Sequence, residues 1–195
     1  MMLYDRTIRE PLFDWLEGRY GKQRILEEIV IGKSRADVVL VLSSEIWGIE
    51  IKSDADTYTR LSAQVKDYNR YFDRNILVVG TRHAHHAAEH VPDHWGIITV
   101  EPEENRADFY ELRKPGENPK AKLEKQITLL WRPELVQLQK QFHLPAYAQK
   151  SKKFVQEKLL EKVPSRELKQ AISEVLFERD YTMIEETIEA YRRTH

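Results

Sequence analysis

The sequence predicts an α/β fold whose first six elements follow the order αβββαβ, with an all-helical segment after the sheet. Two observations support this class. Short apolar runs bounded by turn residues recur between residues 24 and 112, and such runs are typical of strands. Beyond a link at 114–120 that contains two prolines and a glycine, the chain is predicted to be helical throughout.

The N-terminal segment is predicted to form a helix at about 5–18. Its apolar residues have helical spacing: Ile8, Leu12, Trp15 and Leu16. Pro11 is expected in the first turn or at a kink, because proline has no N–H to donate within a helix.

The remaining elements follow from the apolar runs and the turns between them. Strands are predicted at 24–31, 35–42, 46–53, 75–80, 96–100 and 108–112. Helices are predicted at 57–72, 83–91, 121–142, 150–162, 165–179 and 182–193. A capping box from Thr182 to Glu185 begins the last helix. We therefore divide the chain into a core at 1–113, a link at 114–120 and a helical extension at 121–195.

Three charged residues lie inside predicted strands. Asp37 lies on the face of Val39 and Val41, and Glu50 and Lys52 share one face of the next strand because side chains alternate. The short connection between the two strands predicts an antiparallel hairpin that brings Asp37 toward Glu50. Charges in buried strands are costly unless they are paired or bind a cation.

Two carboxylates at one point favour Mg²⁺ or Mn²⁺, which take oxygen ligands and keep several waters. A lysine beside them can hold or deprotonate a water, or neutralise a phosphate. Without a cation the carboxylates should repel each other, so neutralising Asp37 or Glu50 is expected to raise the melting temperature of the metal-free protein. The alternative is an ordinary ion pair between Glu50 and Lys52.

The residues around these charges resemble a known family. The resemblance covers residues 8–100 and rests on five segments: 28–37, 48–57, 60–68, 72–73 and 77–80. Together they resemble the PD-(D/E)XK nuclease superfamily, and most of all its small bacterial and prophage members of the DNA-repair type. Ala36 replaces the proline of the signature. The resemblance implies a restriction-endonuclease-like αβββαβ core with a mixed sheet.

The resemblance also implies roles for individual residues. Its catalytic residues would be Asp37, Glu50, Lys52 and Gln64. Its metal ligands would be Asp37, Glu50, the carbonyl of Ile51 and Glu28, with Glu10 as an alternative to Glu28. Gln64 and Tyr68 are four residues apart and therefore share a helix face.

The segment from residue 113 to residue 153 holds ten basic and three acidic residues. A basic stretch beside an acidic half suits a phosphate-binding groove, although a solvated helix face is an equal alternative. The candidate nucleic-acid-binding residues are Arg35, Arg60, Tyr68, Arg132, Lys140, Lys150, Lys152 and Lys153. The extension also faintly resembles a SAP-like nucleic-acid-binding unit. The alternative is a helical lid that packs through Leu129, Trp131, Leu135, Leu138 and Phe142.

The composition excludes several classes of protein and of metal site. The chain of 195 residues is 41% hydrophobic and has no cysteine, so disulfide frameworks and thiolate metal sites are excluded. An apolar signal core and a membrane-length apolar stretch are both missing, so we expect a cytoplasmic protein. Five of seven histidines lie at 83–94, where His86 and His90 have a spacing that can bind zinc. We favour a structural role for them, because no third ligand is evident.

The sequence therefore predicts a Mg²⁺-dependent or Mn²⁺-dependent deoxyribonuclease, an endonuclease of the DNA-repair, phage or defence type, with DNA as its partner and no membrane contact. A homodimer or a larger nuclease assembly is also expected. Two alternatives remain. The first is a catalytically inactive nucleic-acid-binding module, and the second is an interaction subunit of a phage-defence or toxin assembly.

Overall fold

The computed structural model describes residues 5–102 and 107–179. The predicted helix at 182–193 and its capping box at Thr182 lie outside these residues. The strands are β1 Arg24–Ile31, β2 Ser34–Val41, β3 Ile46–Lys52, β4 Arg74–Gly80, β5 Gly96–Pro102 and β6 Ala107–Arg113. The helices are α1 Asp5–Tyr20, α2 Leu61–Tyr71, α3 Thr81–Ala84, α4 Ala87–His90, α5 Leu123–Gln126, α6 Arg132–Gln141, α7 Lys152–Lys162 and α8 Ser165–Phe177.

The six strands form one mixed sheet in the order β1-β2-β3-β4-β5-β6. β1, β2 and β3 are antiparallel neighbours, β3, β4 and β5 run parallel, and β6 returns antiparallel to β5. In the β2–β3 hairpin Val38 pairs with Ile49 and Val39 pairs with Gly48, as the predicted antiparallel connection requires. The predicted α/β class, with a mixed sheet and C-terminal helices, is confirmed.

Three predicted helices begin later than predicted or are divided in the structure. α2 begins at Leu61 rather than 57, because a turn precedes it in which Asp56 accepts hydrogen bonds from the N–H and hydroxyl of Ser53, at 2.8 and 2.6 Å. The segment predicted as one helix at 121–142 is interrupted before α6. In one continuous helix Pro133 would have no N–H to donate to the carbonyl of Leu129, and its ring would clash with that carbonyl, so it is tolerated in the first turn of α6. The 83–91 segment forms the two short helices α3 and α4.

The first helix extends to Tyr20, two residues beyond its predicted end. Pro11 is the seventh residue of α1, so it lies past the first turn. There its missing N–H removes one helical hydrogen bond.

Helices cover both faces of the sheet. α1 packs on one face, where Ile8, Leu12 and Leu16 share a buried cluster with Ile49 and Ile76. The other face carries α2 and the C-terminal helices. Its buried cluster combines residues of the sheet, of the α2 region and of the C-terminal helices: Val39, Tyr68, Phe72, Leu135, Leu159 and Ile172. The extension therefore shares a core with the sheet, although the division at 114–120 stays a prediction.

Hydrogen bonds also join the extension to the sheet. The Ser173 hydroxyl donates to the carbonyl of Leu42 at 2.7 Å, and Arg24 Nε donates to the carbonyl of Phe177 at 2.9 Å.

Gly48 lies where β3 passes beneath α2. A Cβ at this position would be 2.1 Å from Phe72 Cδ2 and 2.7 Å from Tyr68 Cδ1, and both rings are buried. Because neither ring can move away, we expect Gly48→Ala to lower the free energy of unfolding by about 1–3 kcal/mol or more.

Denaturant unfolding measures this loss. Gly18→Ala is the matched control, because a Cβ there would meet nothing within 4 Å and Gly18 lies in α1. The control should be neutral or stabilising by up to about 1 kcal/mol. Equal stability of the two variants would contradict the close packing described for β3 and α2.

Within residues 5–102 and 107–179, no helix has the length and apolar character that crossing a membrane requires.

Candidate active site

A cleft of about 880 Å³ lies where the start of β2 and the end of β3 meet α2. Asp37 of β2, Glu50, Ile51 and Lys52 of β3, and Gln64 of α2 all line it. The structure therefore brings together the four predicted catalytic residues and Ile51.

Glu50 is the centre of the site and is fully buried. One carboxylate oxygen accepts hydrogen bonds from Lys52 Nζ and from Gln64 Nε2, the latter at 2.6 Å. The other oxygen accepts one from the Tyr68 hydroxyl at 2.7 Å. Three donors offset the cost of burying the charge. Gln64 and Tyr68 thus act from one face of α2, as their spacing predicts.

Asp37 is held beside this group by the backbone of β3. Its carboxylate accepts a hydrogen bond from the N–H of Ile51 at 2.8 Å. The N–H of Asp37 donates to the Tyr68 hydroxyl at 3.2 Å, so one tyrosine bridges β2 and Glu50. Burial, followed by the charges of Glu50 and Asp37, raises the pKa of Tyr68 well above its ordinary value. Tyr68 therefore stays protonated and donates to Glu50.

The burial of Tyr68 corrects one expectation. Tyr68 was predicted to contact nucleic acid, but its ring is fully buried between Phe72 and Trp95, with ring centroids 5.3 and 5.4 Å away. A buried ring has no surface for a nucleotide to contact. Its observed role is to hold Glu50 and Asp37 in place.

The predicted upstream acids lie away from the described cleft lining. Glu28 has a backbone φ of 56°, which is unusual for a residue other than glycine. Its carboxylate is bound by Arg9 on one oxygen and by Arg35 Nε on the other, at 2.6 Å. A cation could use Glu28 only by displacing a guanidinium. Glu10 is exposed on α1.

The donor set at the cleft fits a hard divalent cation. Asp37 and Glu50 supply carboxylates and Ile51 supplies a carbonyl, while Mg²⁺ needs only one or two carboxylates and fills its remaining positions with water or phosphate. The described residues contain no cluster of three or more histidine or acidic side chains that could hold a metal alone. A further observation agrees with a ligand or metal-bound water in the cleft. Gln64 Oε1 is buried and has no hydrogen-bond partner among the described residues.

Basic side chains surround the mouth of the cleft. Arg35 and Arg60 were predicted to bind nucleic acid, and both line it. Lys33, Lys66 and Arg70 also line it, and the sequence analysis did not identify them. Lys66 and Arg70 have the i,i+4 spacing of one helix face, which could have indicated them.

The basic residues of the extension are not brought to this cleft. The lining residues of the cleft, as the structure describes it, include none of Arg132, Lys140, Lys150, Lys152 and Lys153. Arg132 Nη2 donates to the carbonyl of Tyr147 at 2.9 Å, and Lys152 Nζ donates to the carbonyl of Thr128 at 3.3 Å. Burial lowers the pKa of Lys152.

The other basic residues of the extension also have partners in part. Lys153 lies 3.8 Å from Glu157, and Lys150 Nζ is 5.4 Å from the centre of the Phe154 ring. Leu129, Leu135 and Leu138 are buried in the cluster shared with the sheet, as the helical-lid alternative requires.

Four of the five histidines at 83–94 contact other side chains. The rings of His83 and His90 both contact the Tyr58 ring, with centroids 4.9 and 4.0 Å away. Burial raises the pKa of Tyr58 to about 12. His86 Nδ1 lies 3.1 Å from Glu89, and His94 Nε2 lies 3.1 Å from Asn69 Oδ1.

The geometry reverses one stability expectation from the sequence. Because the Glu50 charge is bound to Lys52, Glu50→Gln should leave a buried ammonium without its counter-charge. The loss of unfolding free energy should be at least about 1 kcal/mol, with the roughly 3–5 kcal/mol of a fully buried broken pair as its upper limit. Thermal or denaturant unfolding without metal measures it.

Asp37→Asn is the matched control for Glu50→Gln. An amide oxygen can keep the hydrogen bond from Ile51, so the loss of stability should be smaller than for Glu50→Gln. An increase in melting temperature for Glu50→Gln would show that repulsion between carboxylates outweighs the ion pair with Lys52.

Comparison with known proteins identifies the family. A sequence profile of bacteriophage P4 protein cII matches residues 2–194. Protein cII of Enterobacteria phage P4 is 22% identical over 116 residues, which cover 58% of this chain and 44% of the phage protein, so the alignment spans less than half of that relative. The structure of Pyrococcus furiosus SfsA in complex with Ca²⁺ aligns over 57% of this chain and 60% of that one, at 14% identity and a TM-score of 0.33.

The structural likeness to SfsA is too low to support a conclusion about fold or function. The phage relationship agrees with the prophage character in the predicted resemblance, whereas the nuclease activity stays a prediction. The profile match extends over almost the whole sequence, and the chain belongs to the bacteriophage P4 protein cII family.

Proposed function

We propose that the chain is a metal-dependent phosphodiesterase that hydrolyses nucleic acid, with DNA as the expected substrate and Mg²⁺ or Mn²⁺ as the cofactor. The observation that carries the proposal is the hydrogen-bonded group of buried Glu50 and Lys52 with half-buried Gln64, which lines a polar cleft together with Asp37. Stability alone does not explain a buried ion pair, because burying the two charges costs about as much as their attraction gains. The pair between Glu50 and Lys52 lies in an open cleft, and this position favours a catalytic role.

The carboxylates of Asp37 and Glu50 and the carbonyl of Ile51 would hold the cation. The cation would supply Lewis acidity and neutralise charge on the phosphate. Lys52 would orient the attacking water, and Gln64 Oε1 would accept a hydrogen bond from it. Hydrolysis adds the hydroxyl of water to phosphorus, breaks one P–O bond and returns the second proton to the leaving oxygen.

The mouth of the cleft suits a polyanionic substrate. Arg35 and Arg60 are exposed and line it, so their guanidinium groups can bind phosphates on either side of the scissile bond. Such contacts fix the position of a strand without reading its sequence. We therefore expect structure or strandedness, rather than base sequence, to set the preference of the enzyme.

A cleavage assay tests the proposal. Labelled single-stranded, duplex, flap and junction DNA would be incubated with the purified protein in Mg²⁺, in Mn²⁺ and in excess chelator. We expect cleavage of at least one substrate with metal and none with chelator. Binding without cleavage would favour the inactive nucleic-acid-binding module, and neither binding nor cleavage would favour the interaction subunit. Cleavage that survives chelator would contradict the metal assignment.

A further inference from the structure

A second basic pocket lies beside the candidate active site. It has a volume of about 470 Å³ and lies between α2 and the segment that follows β6. Four of its seven lining residues are cations: Lys66, Arg70, Lys120 and Lys122. Among the described residues, no carboxylate lines it. All four cationic side chains are exposed, and none forms an ion pair within the described part of the chain.

The second pocket is continuous with the cleft. Lys66 and Arg70 line both, because residues four apart lie on one face of α2. Arg60 precedes α2 and lines the cleft. Cations thus follow α2 from the residue before its start to its last turn, and Lys120 and Lys122 extend the series on the neighbouring segment.

The segment that supplies Lys120 and Lys122 is held in place. Asn118 is buried, and its side-chain amide donates to the carbonyls of Asn69 and Phe72 at 2.8 and 2.6 Å. The backbone N–H of Lys122 donates to the carbonyl of Arg70 at 3.0 Å. These hydrogen bonds fix the backbone, so the lysine side chains project from a preorganised wall.

The charge of Lys120 also acts on a neighbouring histidine, although burial has the larger effect there. Burial, then the charges of Lys120 and Arg113, lower the pKa of His94. Clustered like charges repel one another, and an anionic ligand bound among them would offset that repulsion. Free phosphate would need one such site, whereas a series of cations leading out of a cleft suits a polyanion.

We infer that a nucleic-acid strand leaving the cleft continues along α2 and places a backbone phosphate in the pocket formed by Lys66, Arg70, Lys120 and Lys122. The inference rests on the proposed function, because it extends the substrate path of the same site. It differs from the sequence prediction, which placed the phosphate contacts of the extension on α6 and α7.

Binding measured without metal tests the path separately from cleavage. Fluorescence anisotropy with labelled DNA in chelator would give affinity as a function of salt for the wild type and for Lys120→Gln/Lys122→Gln. Each phosphate contact contributes a slope of roughly −0.9 on duplex or −0.7 on single strands. We expect the double variant to bind about tenfold to a hundredfold more weakly at ~0.1 M salt and to show a flatter slope.

Two variants of equal charge change serve as controls. Lys162→Gln/Arg166→Gln removes two exposed cations outside both pockets and should change affinity little. Lys140→Gln/Lys153→Gln removes two exposed cations of the extension. If the Lys140 and Lys153 pair carries the loss and the Lys120 and Lys122 pair does not, the path lies over α6 and α7 and the inference is overturned.

Strand length gives a second readout. The wild type and Lys120→Gln/Lys122→Gln should bind short oligonucleotides equally and diverge once the strand is long enough to reach the pocket. Equal affinities at every length would overturn the inference. Displacement of long DNA by low millimolar inorganic phosphate would identify a site for free anions instead of a strand path, and would overturn it too.

The outcomes separate this inference from the proposed function. If the wild type cleaves DNA but its binding is insensitive to Lys120 and Lys122, the phosphodiesterase stands and the path fails. If the wild type never cleaves DNA but its affinity and salt slope depend on these lysines, the path stands on a binding protein and the enzymatic proposal fails.

Discussion

Lys52→Met is expected to reduce metal-dependent cleavage by about 10²–10⁴-fold, the usual loss when a group that positions or transfers a proton is removed. Methionine keeps the length and most of the volume of the lysine stem, so the packing at the end of β3 is preserved. The change removes the only ammonium that the structure places on the Glu50 carboxylate within the described residues. The measurement is the single-turnover rate at saturating substrate.

The variant needs a control for stability, because Glu50 loses one of its three donors. The hydrogen bonds from Gln64 and Tyr68 remain and should keep the carboxylate in place. Rates are therefore compared below the melting temperature of both proteins. Lys162→Met, an exposed lysine on α7, should cleave like the wild type. Wild-type rates in the Lys52→Met protein would remove Lys52 from the mechanism.

The positions of Asp37, Glu50 and Lys52 could be predicted because strands have a rigid side-chain period of two. Once β2 and β3 pair as a hairpin, the alternation decides which residues face α2, and the observed pairing of Val39 with Gly48 places Glu50 on that face. The shared face of Gln64 and Tyr68 follows from helical spacing in the same way. Both rules are local, so a single sequence contains them.

Burial and long-range contacts were harder to predict. Helical spacing places Tyr68 on the face of Gln64 but does not show that the layer above it is closed by Trp95 and Phe72. The basic pocket depends on Asn118 reaching the end of α2, which is about 49 residues away along the chain. No local pattern encodes that contact. The break before α6 is different, because Pro133 cannot lie in the interior of a continuous helix and was a visible signal for it.

The basic character of the extension was visible in the sequence, but its role was not. In the sequence Arg132 counts as one more basic residue of the extension. In the structure its guanidinium donates to the carbonyls of Tyr147 and Lys150 and holds the loop between α6 and α7. Lys152 similarly reaches the carbonyl of Thr128. Charge counting identifies cations without showing which of them are already used by the fold.

Arg179→Met is expected to be the most destabilising single substitution that the structure indicates. Arg179 is 3% exposed and binds Glu134 through Nε and Nη2 at 2.7 and 2.8 Å. Nη2 also donates to the carbonyl of Leu129 at 2.8 Å, and the guanidinium lies 4.0 Å from the centre of the Trp131 ring. These contacts join the end of α8 to the start of α6.

Removing Arg179 leaves the buried Glu134 carboxylate with the hydrogen bond from the N–H of Trp131 at 2.6 Å but without its counter-charge, and breaking a buried pair in this way typically costs about 3–5 kcal/mol. Replacing both partners with apolar residues removes the charge altogether, so Arg179→Met/Glu134→Leu should lose much less than the sum of the two single variants. Urea unfolding of the four proteins gives the coupling energy directly. We expect the coupling energy between Arg179 and Glu134 to be large and favourable, because each single variant leaves one buried charge without its counter-charge. If each single variant lost less than about 1 kcal/mol of unfolding free energy, water would have to reach Glu134 and Arg179, and the contact between α6 and α8 would not exclude solvent.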